Sequence, residues 1–312
     1  MGDEGKKIGV LGGGISGERE ISLLSARAAY NALSQSGFQA VLMDIDTPDE
    51  RIIRDRIYSN GIDAVFIALH GRFGEDGQIQ KIMENMGMIY TGSDSRASAL
   101  AMNKIFSKKV FIKNNIPTPQ YSTFSDKDVT LENRSWPVVV KPSGSGSSLG
   151  ISIVRDETEF SRAVEKAFPY DEQVIIEDYV DGREITVGIL DEKPMGVVEI
   201  VSDRQYYDFK AKYCEDKTRF IAPAHLDAGI YKKAQEVGLA AHKALGCRHF
   251  SRVDIRLGND NVPYVLEVNS IPGLTSHSLL PLSAGVCGIS FNLLVEKMTK
   301  MALYGKKETQ KV

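Results

Sequence analysis

The apolar positions in the first third of the chain follow two alternating periods. Three short and nearly continuous apolar runs have the pattern of strands buried on both faces: KKIGVL (6–11), QAVLMDID (39–46) and IDAVFIALHG (62–71). Residues 18–37 and 49–59, which lie between these runs, have the apolar spacing of helices. This alternation predicts a doubly wound α/β fold, a Rossmann-like domain, over residues 1–95.

The pattern changes after residue 95. Short runs with proline and charge predict brief strands, and WPVVVKPSGSGSSLGISIV (136–154) predicts a strand, a Gly/Ser loop and a second strand. Beyond residue 180, strands with alternating apolar positions are separated by one long helix, and a closing helix is predicted at about 289–304. We therefore expect a small central α+β domain (96–180) and a larger C-terminal α+β domain (181–312).

Composition and charge narrow the class of protein. The 312 residues include 38 Lys and Arg against 41 Asp and Glu, a net charge of −3 that argues against a nucleic-acid-binding protein. The three cysteines are too few and too far apart for a zinc site or a disulfide framework, which fits a reducing compartment. No apolar run approaches the roughly 18 residues of a membrane span, and the acidic N-terminus is unlike a signal peptide. We expect a cytoplasmic protein.

A glycine-rich turn follows the first strand. GGGISG (12–17) satisfies the dinucleotide fingerprint, and Asp44 ends the next strand, so one hypothesis is a nicotinamide-dependent oxidoreductase. A tight turn with only a packing role is another. Against a dinucleotide, Glu18 comes directly after the last glycine. A carboxylate at the positive end of a helix repels a pyrophosphate and suits an ammonium group.

A second glycine-rich segment lies in the central domain. KPSGSGSSLG (141–150) joins two predicted strands, and Lys141 ends the first of them. Backbone N–H groups and hydroxyls in such a loop can surround phosphate oxygens. It is no Walker loop, because no Lys-Ser or Lys-Thr follows the glycines and no helix begins there. The alternative is a solvated hairpin, but we favour a phosphate contact.

Two carboxylates in the C-terminal domain point to a metal ion. Asp254 lies in SRVDIRL, and Glu267 and Asn269 share one face of PYVLEVN. The GNDNVP turn between these strands predicts a hairpin that brings Asp254 close to Glu267, with Arg252 on the same face. Two carboxylates and an amide oxygen suit Mg²⁺ shared with phosphates. A charge pair of Arg252 and Asp254 on a solvated face is the alternative.

Taken together, these segments resemble the D-alanine–D-alanine ligase family of the ATP-grasp superfamily. The matching segments occur in the family's order from about residue 6 to 303: GGGISGEREISL (12–23), FIALHGRFGEDGQIQ (66–80), YTGSDSRASALAMNK (90–104), VVVKPSGSGSSLGIS (138–152), IIEDYVDGREITVGIL (175–190), YYDFKAKY (206–213) and RVDIRLGNDNVPYVLEVNSIPGLTSHSLLP (252–281). The resemblance implies a three-domain ATP-grasp architecture. It also implies that ATP phosphorylates one D-alanine and that the amine of a second attacks the acyl phosphate, for peptidoglycan precursor synthesis.

The resemblance also implies a role for individual residues. Glu18 would hold the ammonium of the first D-alanine, with His70 nearby, and Ser147 and Tyr213 would link to Glu18 and close a lid around 206–217. Tyr213 favours an amine as second nucleophile, because relatives that form an ester tend to have Phe there. The remaining catalytic residues would be Arg252 and the N–H of Gly273 at the oxyanion, and Ser278 with Leu279 at the second carboxylate.

ATP and the metal account for the other positions that the resemblance implies. Lys104, Lys141 and Lys212 would contact phosphates, Glu177 and the backbone of Val180 the adenine, and Glu184 the ribose. Asp254, Glu267 and Asn269 would bind two Mg²⁺ ions, with Mn²⁺ as an alternative. A homodimer is expected from the family. The competing hypotheses are an ATP-grasp ligase for another amino or hydroxy acid, a non-catalytic nucleotide-binding homologue and the oxidoreductase above.

Overall fold

A computed structural model describes residues 5–125, 135–146, 149–202, 218–275 and 278–305. The N-terminal part has four strands, β1 (Lys7–Gly13), β2 (Gln39–Ile45), β3 (Ala64–Ile67) and β4 (Ile89–Tyr90), and three helices, α1 (Arg19–Gln35), α2 (Glu50–Ser59) and α3 (Gln78–Asn85). The strands form one parallel sheet in the order β2-β1-β3-β4. This confirms the doubly wound α/β pattern, and β3 is buried along its whole length as expected of such a strand.

Two consecutive helices follow this sheet, α4 (Ser95–Met102) and α5 (Lys104–Lys113). The prediction of brief strands here is wrong, because the only strand described between them and residue 135 is β5 (Tyr121–Phe124). Asp94 caps α4, where its carboxylate accepts the N–H of Ala97 at 2.8 Å, and Asn103 caps α5 in the same way through the N–H of Phe106 at 3.1 Å. Side-chain caps of this kind favour helix over strand.

The central sheet is antiparallel and four-stranded. It pairs β5 with β6 (Val138–Pro142), β7 (Ser152–Val154) and β8 (Val174–Asp178) in the order β5-β8-β6-β7, and α6 (Glu157–Ala167) covers it. Phe160 and Val164 of α6 pack against Val140 and Ile176 of the sheet. The pairing of β6 with β7 confirms the predicted strand, loop and strand over 136–154.

The C-terminal sheet is antiparallel and five-stranded, in the order β11-β10-β9-β12-β13. Its elements are β9 (Gly182–Leu190), β10 (Lys193–Val201), β11 (Arg219–Ile221), β12 (Phe250–Gly258), β13 (Pro263–Asn269) and the helices α7 (Ala228–Ala244), α8 (Leu279–Val286) and α9 (Phe291–Tyr304). The long helix, the closing helix and the β12–β13 hairpin are confirmed. Val187 of β9, Val253 of β12 and Val265 of β13 pack in the core on one face of the sheet. Thr186, Arg252 and Asp254 lie on the opposite face.

Two of the hydrophobic cores contain residues from more than one part of the chain. Leu294 and Met298 of α9 pack with Ala29 and Leu33 of α1, so the end of the described chain lies on the N-terminal helix. Phe111 of α5 belongs to the core of the C-terminal sheet. No single helix in the described ranges is long and apolar enough to span a membrane; only α8 and α9 together pass on length and composition, and they are bent by 101°.

Candidate active site

The polar face of the C-terminal sheet is centred on Asp254. Asp254 of β12 lies opposite Glu267 of β13 and Thr186 of β9 in the strand register. Its carboxylate accepts hydrogen bonds from Arg252 Nε at 2.8 Å, Arg252 NH2 at 2.7 Å, Thr186 Oγ1 at 2.7 Å and Asn269 Nδ2 at 3.0 Å. The structure therefore brings all three predicted metal ligands and the predicted oxyanion arginine onto one face.

Lys104 connects this face to the Gly/Ser loop. The first residue of α5, it is 4% exposed, and its Nζ donates to the carbonyl oxygen of Ser145 at 2.8 Å. The same Nζ lies 3.1 Å from Oε2 of Glu267. A single ammonium thus holds the loop of the central sheet against a carboxylate of the C-terminal sheet. We call this junction of the two sheets, where Lys104 contacts both Ser145 and Glu267, the cleft.

Lys141 lies in a buried ion triad beside this cleft. Glu177 of β8 has one carboxylate oxygen 2.9 Å from Lys141 Nζ and the other 3.0 Å from Lys108 Nζ of α5. Burial lowers the pKa of Lys108 to about 8, against the opposing effect of Glu177. Burial would raise the pKa of Glu177, but the two ammonium groups outweigh it and hold that pKa below its usual value. The carboxylate of Glu177 is thus held by Lys141 and Lys108, and its backbone is paired between β5 and β6.

Arg256 of β12 contacts β9 and the segment that joins β8 to β9, where the adenine is expected to bind. Its Nε donates to the carbonyl oxygen of Val180 at 3.1 Å, and NH1 lies 3.4 Å from Oε2 of Glu184. NH2 donates to the hydroxyl of Tyr179 at 3.2 Å, and the guanidinium lies 5.7 Å from the centre of that ring. Arg256 is not among the site residues predicted from the sequence. Its alternation with Arg252 and Asp254 on β12 was the available signal.

Glu18 lies where the N-terminal part of the chain meets the Gly/Ser loop of the central part. It is 8% exposed and precedes the first residue of α1, so its carboxylate lies at the positive end of the helix. A Cβ added at Gly71 would lie 2.5 Å from Glu18 Oε2, and one added at Gly146 would lie 3.9 Å from both carboxylate oxygens. Gly71 also has a φ of +71°, which disfavours other residues there. The carboxylate is thus next to both the N-terminal sheet and the Gly/Ser loop.

The loop after β13 carries the predicted oxyanion donor and leads into α8. A Cβ at Gly273 would lie 2.9 Å from Ser278 Oγ, so the loop packs closely at this glycine. Ser278 precedes the first residue of α8, and its hydroxyl accepts the N–H of Thr275 at 2.8 Å rather than capping the helix. The first N–H groups of α8 are therefore available to an anion.

The glycine-rich turn does not have the chemistry of a dinucleotide site. Arg19 NH2 lies 2.7 Å from Asp44 Oδ2, so the acid that would take a ribose is already paired. A Cβ at Gly12 would lie 2.4 Å from that of Ala26, which makes this glycine a contact between β1 and α1. The turn serves packing and the placement of Glu18. Of the predicted site residues, Ser147, Lys212 and Tyr213 lie outside the described residues, as does the proposed lid.

The fold and the site together define the class of protein. An antiparallel central sheet with a Gly/Ser loop and buried lysines faces a second antiparallel sheet that carries Asp254, Glu267 and Asn269. Behind them lies a parallel Rossmann-like sheet. This is the ATP-grasp architecture, as the solved structures below bear out.

Comparison with known proteins gives the family. The family model for the D-ala D-ala ligase C-terminus matches residues 110–300, and that for the N-terminus matches residues 49–93. The D-alanine–D-alanine ligase of Geotalea uraniireducens is 47% identical over 95% of this chain and 96% of its own, and that of Pelobacter propionicus is 46% identical over 94% of each. The chain belongs to the D-alanine–D-alanine ligase family.

Solved structures agree with this assignment. The D-alanine–D-alanine ligase of Bacillus anthracis is 34% identical, with a TM-score of 0.85 over 96% of this chain and 97% of its own. The structure of that enzyme complexed with ATP has a TM-score of 0.83 at 31% identity, again over 96% and 97%. The VanG D-Ala:D-Ser ligase of Enterococcus faecalis has a TM-score of 0.81 at 30% identity, over 95% and 99%.

Proposed function

We propose that this chain joins two D-alanine molecules in an ATP-dependent reaction for peptidoglycan precursor synthesis. One observation carries the proposal: Lys104 ties the Gly/Ser loop to Glu267, while Glu18 lies beside the same loop at Gly146. An ammonium-binding carboxylate, a phosphate-binding loop and a metal-binding carboxylate thus lie around one cleft. Activation of a carboxylate by ATP and attack by an amine need those three subsites together.

The residues at Asp254 fit a divalent metal. Two carboxylates and an amide oxygen are hard donors, and the register of β12 and β13 places Asp254 opposite Glu267. A Mg²⁺ ion held this way would complete its coordination with phosphate oxygens, as this ion usually does. We propose two Mg²⁺ ions, with Mn²⁺ as a substitute; they would neutralise charge on the phosphates.

Binding of the first substrate is assigned to Glu18. Its carboxylate is nearly buried at the helix terminus, where an ammonium group would be paired and shielded from water. Lys104 and Lys141 are also buried, and both can donate to phosphate oxygens at the loop. We propose that the acyl phosphate forms between these groups, with Lys212 added to them. Glu184 and the backbone of Val180, joined through Arg256, would hold the ribose and the adenine.

The ligation step is assigned to the loop after β13. Arg252 and the N–H of Gly273 would bind the oxygen of the tetrahedral intermediate, a role worth about 3 kcal/mol for each donor. Ser278 and Leu279, at the start of α8, would take the carboxylate of the second D-alanine through the helix N-terminus. Ser147 and Tyr213 are proposed to close the site with Glu18, which would protect the acyl phosphate from water.

A second candidate differs in the acceptor. One structural relative is named as a D-Ala:D-Ser ligase, so D-serine is an alternative second substrate for this chain. Incubation with ATP, Mg²⁺ and D-alanine in the presence of equal D-serine or D-lactate, followed by mass analysis of products, separates the candidates. We expect D-alanyl-D-alanine as the main product. A dominant mixed dipeptide or ester would assign a different second substrate.

The metal assignment has its own test. Glu267→Ala should abolish turnover while the circular dichroism spectrum is unchanged, because Glu267 is partly exposed and carries no core packing. Retained turnover would remove Glu267 from the metal site. The homodimer and the cytoplasmic location stay proposals, to be tested by light scattering and by cell fractionation.

A further inference from the structure

A buried chain of polar contacts links the N-terminal sheet to the loop that carries Gly273. Ser25 of α1 has no exposed surface, and His70, three residues after β3, is 4% exposed. His70 Nε2 lies 2.8 Å from Ser25 Oγ. The backbone N–H of Leu274 donates to the same oxygen at 3.2 Å.

Glu75 determines which groups donate and which accept along this chain of hydrogen bonds. Its Oε1 lies 3.5 Å from His70 Nδ1, and a carboxylate at that position favours the tautomer with the proton on Nδ1. Nε2 then accepts the hydroxyl proton of Ser25. The oxygen of Ser25 has its lone pairs left for the N–H of Leu274, so each polar group along the chain is satisfied in one consistent direction.

This chain of hydrogen bonds ends at the peptide N–H of Leu274, next to Gly273, the predicted oxyanion donor. Leu274 follows Gly273 directly, and the other side of Gly273 packs on Ser278. The loop is thereby held at two points, by Ser25 beneath it and by Ser278 beside it. An oxyanion donor works only when its N–H is held within about half an ångström of the developing charge, so the support beneath it affects the rate.

We propose that Ser25 is a positioning residue, which holds the peptide of Leu274 and so aims the N–H of Gly273 at the reacting carbonyl group. His70 and Glu75 fix the hydroxyl of Ser25 in the orientation that accepts from Leu274. This inference rests on the proposed ligation, because it gives Ser25 a part in that reaction. Ser25 itself touches no substrate.

Ser22 provides a matched control. It lies one turn earlier in α1, also has no exposed surface, and donates to the carbonyl oxygen of Ala68 at 2.8 Å. Ser22→Ala therefore removes the same group from the same helix. The hydrogen bond that it breaks is to Ala68, directly after β3, and not to the loop that carries Gly273. Ser25→Cys is a second control, because a thiol fills the volume of the hydroxyl group but is a weak hydrogen-bond partner.

The experiment combines kinetics with amide exchange. Ser25→Ala and Ser25→Cys should each lower kcat about tenfold with the KM for ATP unchanged, and Ser22→Ala should leave kcat within about twofold. Hydrogen exchange at the amide of Leu274 should be about five- to tenfold faster in both Ser25 variants, and unchanged in Ser22→Ala. Glu75→Gln should lower kcat as well, and combining it with Ser25→Ala should give little further loss, because both act through one chain.

Three results would overturn the inference. Unchanged exchange at Leu274 in Ser25→Ala would show that the hydroxyl does not hold the loop, whatever the enzyme's activity. Equal loss of kcat in Ser22→Ala, or full recovery in Ser25→Cys, would show that packing of α1 is responsible. Failure of the proposed function would be a separate result, because the wild-type protein would then form no dipeptide. The exchange measurement at Leu274 would still decide whether Ser25 holds the loop.

Discussion

The triad of Glu177, Lys108 and Lys141 allows a sharp prediction. Replacing its carboxylate and replacing one of its lysines should change the stability of the protein in opposite directions. The buried group has two ammonium charges and one carboxylate. Glu177→Gln would leave two buried cations without a counterion, whereas Lys108→Met would leave one balanced pair. Removing the single partner of a buried charge costs about 3–5 kcal/mol. We expect Glu177→Gln to destabilise the protein by that amount at pH 7.

The expected effect of Lys108→Met follows from its pKa. A fall from 10.5 to about 8 is a penalty of about 3 kcal/mol for the protonated form in the folded protein. Lys108→Met removes this penalty but also loses the hydrogen bond of Nζ to Thr118, worth about 1–1.5 kcal/mol. The net result is a protein at least as stable as the wild type, by up to about 2 kcal/mol.

The pH dependence has a definite sign. Between about pH 8 and pH 10.5 the folded protein binds fewer protons at Lys108 than the unfolded chain does, so the stability contributed by this group rises with pH across that window. The rise should be absent from Lys108→Met. It should be retained in Lys109→Met, the matched control, because Lys109 is the exposed neighbour on the same helix.

Urea unfolding followed by circular dichroism at pH 7 and pH 9.5 measures both effects. Glu177→Gln should also raise the KM for ATP, because it releases Lys141 from its fixed position. If Lys108→Met destabilised the protein as much as Glu177→Gln does, the reasoning from charge balance would be refuted. A stability difference between Lys108→Met and wild type that stays constant with pH would refute the pKa argument.

Three further predictions concern the cleft. Arg256→Ala should raise the KM for ATP about tenfold and leave the KM for D-alanine unchanged in steady-state assays, because its contacts are to Val180 and Glu184; equal changes in both would place Arg256 elsewhere. Glu18→Gln should weaken binding of the first D-alanine about 30-fold with ATP binding retained, since a charged hydrogen bond to the ammonium is lost; an effect on ATP alone would contradict this. Lys104→Met should weaken ATP binding yet strengthen Mg²⁺ binding without nucleotide, measured by calorimetry, because Glu267 loses its competing ammonium; weaker Mg²⁺ binding would argue against the shared site.

Local pattern was sufficient to predict the hairpin that carries the proposed metal ligands. Alternation placed Glu267 and Asn269 on one face, and the short polar turn brought Asp254 opposite them, as the strand register confirms. Glu18 was identified because its charge at a helix start is a local property. Each of these inferences needs only one element and its nearest neighbour.

Other parts of the site depend on contacts that the sequence does not display. Helices α4 and α5 were mistaken for strands because each is short and α5 has charged or polar residues on all sides, although Asp94 and Asn103 are visible cap residues. Ser25 and Leu274 are separated by 249 positions in the chain, and their contact exists only once α1 and the β13 loop are packed together. Lys108 is similar, since a lysine beside Lys109 gives no sign that it is fully buried.

We propose that one cleft couples ATP to the joining of two D-alanine molecules. The most direct measurement is the amount of ADP and of dipeptide formed by purified protein with ATP and Mg²⁺, with and without D-alanine. We expect ADP release that requires both D-alanine and Mg²⁺, with one D-alanyl-D-alanine formed for each ADP. ADP release that is independent of D-alanine, or none at all together with tight NADH binding, would contradict it.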